Sequence, residues 1–448
     1  MNICIINGSP KPAKYSVTCQ TVFYLQKRYP QHHYEIIDVG ARIRSLEKDP
    51  SPALEAMARA DVLLFSYPVY TFLAPSQLHR FLRLIKERGA DLSGKYASQI
   101  TTSKHFYDVT AHRYVEDNCF DLGMRVVHGL SSDMEDLTTP RGQRDAEAFF
   151  EHLMWSVENR VAEPVPAPWP GELPPYQPAF ETAGEKLPGH DGVIVADLET
   201  DDHALAVMIE DFRRGYPYKT RLINIAEFPF QGGFLGCFHC AGDGKCVHKD
   251  GFDAFLRQEI QTASAIVYAF SIKDHSMGPR FKIYDDRQFC NGHRTVTEGM
   301  PFGYLVNGCY PAEENLRMVI EARAQVGGNF LAGVGYTGDT VAAMARQLAY
   351  AVETQYNPPR NFYGVGGMKI FRDLIWVMRG LMKADHDYYK THGVYDFPQK
   401  QRGKMLVMCA LGALVRNPKI RSRMGNKMNE GMVAPYKKVI DAASPAEK

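Results

Sequence analysis

The stretch Asn2-Ile3-Cys4-Ile5-Ile6-Asn7-Gly8-Ser9-Pro10-Lys11-Pro12-Ala13-Lys14-Tyr15-Ser16-Val17-Thr18 joins a short apolar run to a polar turn and then to a helix predicted over 17–28. A strand that ends in Gly8 and feeds a helix start is the first unit of an alternating β/α chain. The turn offers unpaired backbone N–H groups at the positive end of a helix dipole. Ser9, Ser16 and Thr18 add hydroxyls beside Val17, and Lys11 adds charge, so the stretch reads as a cradle for a phosphate monoester. An ordinary polar turn with a Ser/Thr cap is the alternative on these residues alone. Neither G-x-G-x-x-G nor G-x-x-x-x-G-K-[ST] occurs, which argues against a dinucleotide fold and a P-loop NTPase.

Outward from this turn the alternation continues. Strands are expected over 34–39, 61–67, 96–102 and 125–130, and helices over 51–59, 77–88, 110–122 and 141–160. Five strands in this order predict a doubly wound domain over 1–160. Residues 161–190 hold Pro164, Pro166, Pro168, Pro170, Pro174, Pro175, Pro178 and Pro188 and read as an extended linker. The cycle then restarts, with strands expected over 193–197, 219–225, 265–270, 303–307 and 331–336. Helices are expected over 203–214, 252–262, 280–289, 313–326 and 340–356, giving a second domain over 191–358. From 359 to 448 only helices are expected. The fold class is therefore α/β: two doubly wound parallel-sheet domains in tandem with a helical, basic C-terminal tail.

Two further strand ends converge on the first turn. The third strand ends in Ser66-Tyr67-Pro68-Val69-Tyr70, a rigid aromatic loop, and the fourth in Thr101-Thr102-Ser103-Lys104. In an open α/β sheet the crevice at these carboxyl ends is where ligands sit, and aromatic loops suit the face of a flat ring.

G-S-P-K with S-x-T, followed by S-Y-P-V-Y before an amphipathic helix, resembles the NADPH-dependent FMN reductase and iron–sulfur flavoprotein family of the flavodoxin-like superfamily. The resemblance implies that Ser9, Lys11, Ser16, Val17 and Thr18 hold the FMN phosphate, that Tyr67, Pro68, Val69 and Tyr70 flank the isoalloxazine, and that Thr101, Thr102, Ser103 and Lys104 line its other edge. It implies an FMN-dependent enzyme with NAD(P)H as co-substrate and a small organic electron acceptor such as a quinone, an enone or a nitro compound. An electron carrier and a binding module without turnover are the other readings of the same fold.

The second half resembles the same family at Gly236-Cys237-Phe238-His239-Cys240, Gly244-Lys245-Cys246 and Lys249-Asp250. Its first turn, however, is Leu198-Glu199-Thr200-Asp201-Asp202, whose carboxylates would repel a phosphate. One flavin site, in the first half, is expected. Because the family usually dimerises, the tandem is expected to form that interface internally, with the second half covering the flavin. Lys273, His275, Arg280 and Tyr284 would then face either substrate or solvent. Further assembly into homo-oligomers is left open.

Cys237, Cys240 and Cys246 are three thiols where a cubane cluster needs four, and Phe234 stands where the family's extra cysteine falls. No metal is the expectation, with a cluster or a zinc site on these three as lesser alternatives. Cys4, Cys19, Cys119 and Cys409 read as small core residues.

Composition agrees with this reading. The 448 residues are 45% apolar and 23% charged, with a formal net charge of +1, which excludes collagen, coiled coil and wholesale disorder and gives no global footprint for nucleic acid. Nine scattered cysteines fit a reducing cytoplasm. The apolar start is too short for a signal peptide, and the run 405–415 falls below the roughly 18 residues of a spanning helix. Residues 360–448 hold 17 Lys and Arg against 7 Asp and Glu. These basic helices are expected to pack on the sheet domains with a basic outer face, the alternatives being that they rest on anionic lipid as a peripheral contact or attract NADPH and acidic substrates. His386, between Asp385 and Asp387, is either a proton donor or part of a surface charge cluster.

Overall fold

The computed structural model describes residues 1–442. Residues 1–388 form one compact unit and residues 389–442 belong to a second.

The first sheet is built from β1 (Asn2–Asn7), β2 (His33–Ile37), β3 (Val62–Pro68), β4 (Tyr96–Ser103), β5 (Arg125–Val126) and β6 (Leu130–Asp133). All pairs are parallel, in the order β2-β1-β3-β4-β5, with β6 also on β4. Its helices are α1 (Val17–Arg28), α2 (Ile43–Lys48), α3 (Ser51–Arg59), α4 (Ser76–Glu87), α5 (Asp108–Asp121) and α6 (Pro140–Asn159).

The second sheet holds β7 (Leu187–Ala196), β8 (Tyr218–Asn224), β9 (Ala265–Ser271), β10 (Phe302–Asn307) and β11 (Leu331–Gly335), again all parallel. Its order, β8-β7-β9-β10-β11, repeats that of the first. Both sheets thus have the 2-1-3-4-5 order of a flavodoxin-like domain. Helices α7 (His203–Gly215), α8 (Phe252–Phe255), α9 (Gly278–Arg287), α10 (Glu314–Gly327) and α11 (Gly338–Thr354) flank it, followed by α12 (Phe362–Val377), α13 (Lys383–Thr391), α14 (Arg402–Val415) and α15 (Pro418–Ala442).

Three departures from the sequence reading have local causes. The expected strand 125–130 is interrupted between β5 and β6, where Gly129 lets the chain pass close to β4: a Cβ there would lie 2.3 Å from Gln99 Cγ. β7 starts at Leu187, which already pairs with Tyr218, so the strand absorbs the end of the expected linker. Residues before it carry no helix or strand but are pinned: the buried Asp211 carboxylate on α7 accepts from Tyr176 Oη, Ala179 N and Phe180 N.

The two sheet domains share a core. Leu78, Phe81 and Tyr114 of the first belong to the same buried cluster as Phe281, Tyr284 and Phe302 of the second. Helices α4 and α9, which follow equivalent strands, pack on each other at its centre. Separate outer cores lie behind each sheet, with Val22, Phe150 and Leu153 in one and Phe212, Val341 and Leu348 in the other.

The junction has a near two-fold plan. The turn after β3 places Thr71 and Phe72 at positive φ between bridged Tyr70 and Leu73, and the turn after β9 places Asp274 and His275 at positive φ between bridged Lys273 and Ser276. Each turn meets a helix of the other half. Phe72 lies under the Arg323 guanidinium of α10, 5.4 Å from the ring centre, and the Asp274 carbonyl accepts from Asn118 of α5 at 3.3 Å. The two halves thus meet through equivalent elements with different side chains.

Candidate active site at the carboxyl edge of the first sheet

A cavity of about 250 Å³ opens at the carboxyl ends of β1, β3 and β4. Ser9, Lys11, Ser16, Val17 and Thr18 form one end, Pro68, Val69 and Tyr70 one wall, and Thr102, Ser103 and Lys104 another edge.

The end at α1 is arranged for an anion. Val17 and Thr18 open the helix, so their N–H groups have no carbonyl one turn back. Ser16 caps the helix, its hydroxyl accepting from Cys19 N. Thr18 Oγ1 is buried without a hydrogen-bond partner among the described residues, and so is Thr71 Oγ1 further along the cavity. Buried hydroxyls left unpaired are costly, and at the mouth of a helix dipole they suit a ligand rich in acceptor oxygens. An FMN phosphate fits this donor set. Lys11 adds charge, with its Nζ also donating to the Gly236 carbonyl at 2.9 Å and so joining the turn to the second half.

Two expected residues lie elsewhere. Tyr67 is fully buried, its hydroxyl donating to Gln99 Oε1 at 2.6 Å and Ala111 O at 3.0 Å. Thr101 is equally buried, with Oγ1 2.7 Å from His112 Nε2. Alternation along a strand explains both, because Tyr67 and Thr101 point under α5 while Pro68 and Thr102 point into the cavity. Lys104 lines the edge, with its charge met by Asp133 and Glu135.

The second half closes the cavity with Phe234, Gly236, Phe238, Cys240 and Ala241. Phe234 meets Tyr70 edge-on and stacks on Phe289 at 4.7 Å and 20°. Burial, and then the Asp286 charge, pushes the Tyr70 phenol well above its usual range, so it remains a neutral aromatic wall. The Cys240 thiol is pushed up to about 11, by burial first and then by Cys246 and Cys237, and it donates to Phe289 O. Cys237 is exposed and Cys246 half-buried. Among the described residues no three His, Cys, Asp or Glu side chains are grouped as a metal ion would require.

The roof comes from the tail. Ile370, Phe371, Leu374 and Met378, with Met382 beyond the helix, make it apolar, while Asp385 at the start of α13 and His293 are its polar part. Asp385 is 1% exposed. Its Oδ1 accepts from His293 N at 3.2 Å and lies 3.3 Å from Arg294 Nε, and its Oδ2 lies 3.6 Å from His293 Nδ1. The carboxylate fits because residue 292 is glycine: a Cβ there would lie 2.2 Å from Asp385 Oδ1, and the backbone has φ +62°. Likewise α12 lies close on α10, since Gly364 and Gly367 face Gln325 and Val326.

The corresponding place in the second half is filled by its own side chains. Asp202 caps α7 and takes the anion position, accepting from Leu205 N, Ser271 Oγ and Asn307 Nδ2. Lys273 pairs with Glu199 at 2.8 Å, Arg280 with Asp197 at 2.8 Å, and His275 with Asp121 and Glu313. Tyr284 is buried in the shared core. None of Lys273, His275, Arg280 and Tyr284 lines the cavity in the first half. His386 is likewise not among the lining residues, and its neighbour Asp385 is.

Several lining residues were not expected: Tyr15, Thr71, Phe106, Met134, Phe289 and His293 among them. Phe106, Phe289, His293 and Phe371 carry no local motif. The stripe Ile370, Leu374, Met378 does have helical spacing, but spacing alone cannot separate a packing face from a roof.

The family model for the flavodoxin-like fold, Flavodoxin_2, matches residues 1–139. Residues 1–139 are a flavodoxin-like domain. No curated protein matches the sequence. Among solved structures, the apo form of an NADH:FMN oxidoreductase is 21% identical, over 35% of this chain and 89% of that one, with a TM-score of 0.31. An NAD(P)H:quinone oxidoreductase from Methanothermobacter marburgensis is 15% identical over 37% and 99%, with a TM-score of 0.28. An FMN-dependent NADH-azoreductase from Bacillus anthracis is 16% identical over 36% and 99%, with a TM-score of 0.26.

Proposed function

We propose that the chain is an FMN-dependent oxidoreductase that draws electrons from NAD(P)H and passes them to a small organic acceptor such as a quinone, an enone or a nitro compound. The observation that carries this reading is one cavity that joins unpartnered donors at a helix start to aromatic and apolar walls. FMN, when bound, supplies two-electron exchange between a reduced nicotinamide and the acceptor.

The residues of the chain bind, orient and exclude water. Val17 N, Thr18 N and Thr18 Oγ1, with Ser9 and Lys11, hold the phosphate. Pro68, Val69 and Tyr70 form a rigid wall for the ring, and Phe234 backs Tyr70 from the second half. The α12 roof keeps water from the reacting face. His293, whose backbone N–H donates to Asp385, lines the cavity and is the polar side chain placed to donate to an acceptor oxygen, which suits a carbonyl or nitro group. Nine free cysteines suit a reducing compartment, and we place the protein in the cytoplasm.

The test is a visible spectrum of protein reconstituted with FMN and freed of excess, recorded before and after anaerobic NADPH. Retained flavin bands that bleach, and return on adding a quinone, support the enzyme. Retained flavin that does not bleach with either nicotinamide overturns the enzymatic reading, and failure to retain FMN overturns the site.

A further inference from the structure

The second compact unit carries a surface with a different use, independent of the flavin reading. On α14, Met405, Leu406, Val407, Met408, Leu411 and Leu414 are 42–72% exposed. A water-facing helix shows a polar face and hides an apolar one. On α14 the consecutive Met405, Leu406, Val407 and Met408 put exposed apolar groups around most of the helix at its N-terminal half.

Charge identifies what covers it. Arg402 and Lys404 at the start of α14 and Arg416 just past its end are exposed cations bracketing the apolar run. Residues 389–448 hold 12 Lys and Arg against 4 Asp and Glu, whereas residues 1–388 hold 40 against 47. Positive charge is thus concentrated in the unit that shows the apolar helix. A second copy of α14 is a poor partner, since both ends are cationic and pairing in either direction sets like charges together. An anionic surface answers both ends at once.

Length decides how such a surface is met. Fourteen residues of helix span about 21 Å, short of the roughly 30 Å hydrocarbon core, so α14 lies along a bilayer and does not cross it. No helix among the described residues is long and apolar enough to cross one. We propose that α14 is an interfacial anchor that seats the protein on an anionic phospholipid bilayer, apolar side chains in the headgroup boundary and Arg402, Lys404 and Arg416 among lipid phosphates.

The experiment is flotation of the full-length protein with vesicles of phosphatidylcholine alone or with about 30% phosphatidylglycerol, at about 0.1 M and about 0.5 M salt. Partition at least about tenfold stronger onto anionic vesicles, weakened by salt, is expected. Leu406→Glu with Val407→Glu should abolish flotation, and Arg402→Glu with Lys404→Glu should remove the anionic preference with the apolar face intact. Far-UV circular dichroism and thermal melts that match wild type in both variants report that the remainder is folded. Absence of flotation on either vesicle, or flotation unchanged in both variants, overturns the proposal. Light scattering that shows a wild-type dimer split by Leu406→Glu also overturns it, in favour of a second copy on this face.

Discussion

Tyr70 of the first half and Phe234 of the second meet edge to face, their ring centroids 4.9 Å apart and their planes at 78°. The contact joins the wall of the cavity to the segment that closes it, so the site is made by both halves. Lys11 makes a parallel link through the Gly236 carbonyl. The equivalent turn of the second half is filled by its own Asp202, while that half supplies Phe234, Gly236 and Phe238 to the cavity of the first.

The orphaned hydroxyl at the start of α1 separates binding from folding. Thr18→Val removes a buried oxygen that has no partner in the chain, so the unliganded protein should melt no earlier than wild type. FMN affinity should fall about tenfold, the worth of one hydrogen bond to a charged group. Fluorescence titration with FMN and a thermal melt of the FMN-free protein check both. Equal affinity would remove Thr18 from the site.

Tyr67 should behave in the opposite way. Tyr67→Phe leaves Gln99 Oε1 without its donor in a fully buried setting, at a cost of about 1–2 kcal/mol of stability. FMN affinity should stay within about twofold, because the ring faces the core beneath α5. Denaturant unfolding of wild type and variant, beside the same titration, distinguishes the two effects.

The contrast between Tyr67 and Thr18 shows how far the sequence reaches. The turn at Ser9–Thr18 and the loop Pro68–Tyr70 are contiguous, so their residue types identify the edge of the sheet before any coordinates. The periodicity of both halves likewise gives two parallel sheets. Which member of Ser66-Tyr67-Pro68 faces the cavity depends on strand phase, and a one-residue change of phase reverses the answer. His293 and Asp385 are 92 positions apart and meet only because Gly292 admits the carboxylate. The α12 roof is hidden for a related reason: the helical spacing of Ile370, Leu374 and Met378 marks an apolar face but not what that face covers.

The junction between the halves should carry a pH signature at His275. Hydrogen bonds to Asp121 and Glu313 outweigh burial and push its imidazole up to about 10 from 6.5. A group raised on folding stabilises fully below its unfolded value, and that contribution is lost as pH rises through the folded one. His275→Gln should therefore lower stability by about 1–3 kcal/mol near pH 6, with the gap to wild type closing between about pH 6.5 and pH 10. Paired melts across that range give the difference directly. A gap that does not depend on pH would mean that the imidazole contributes only shape.

The polar corner of the roof supplies the last test. His293 is held through its backbone N–H by Asp385, whose Oδ2 lies 3.6 Å from the ring Nδ1, so Asp385→Asn and His293→Gln should affect the acceptor step without loosening the cofactor. Removing a positioned proton donor typically lowers turnover by about a hundredfold, and loss of the carboxylate that fixes it should cost less, about tenfold. FMN retention should match wild type in both. The discriminating measurement is the two half-reactions followed separately: reduction by NADPH should keep its rate, while reoxidation by a naphthoquinone should slow. If both halves slow equally, His293 orders the cavity as a whole; if neither does, the acceptor meets the apolar roof without this pair.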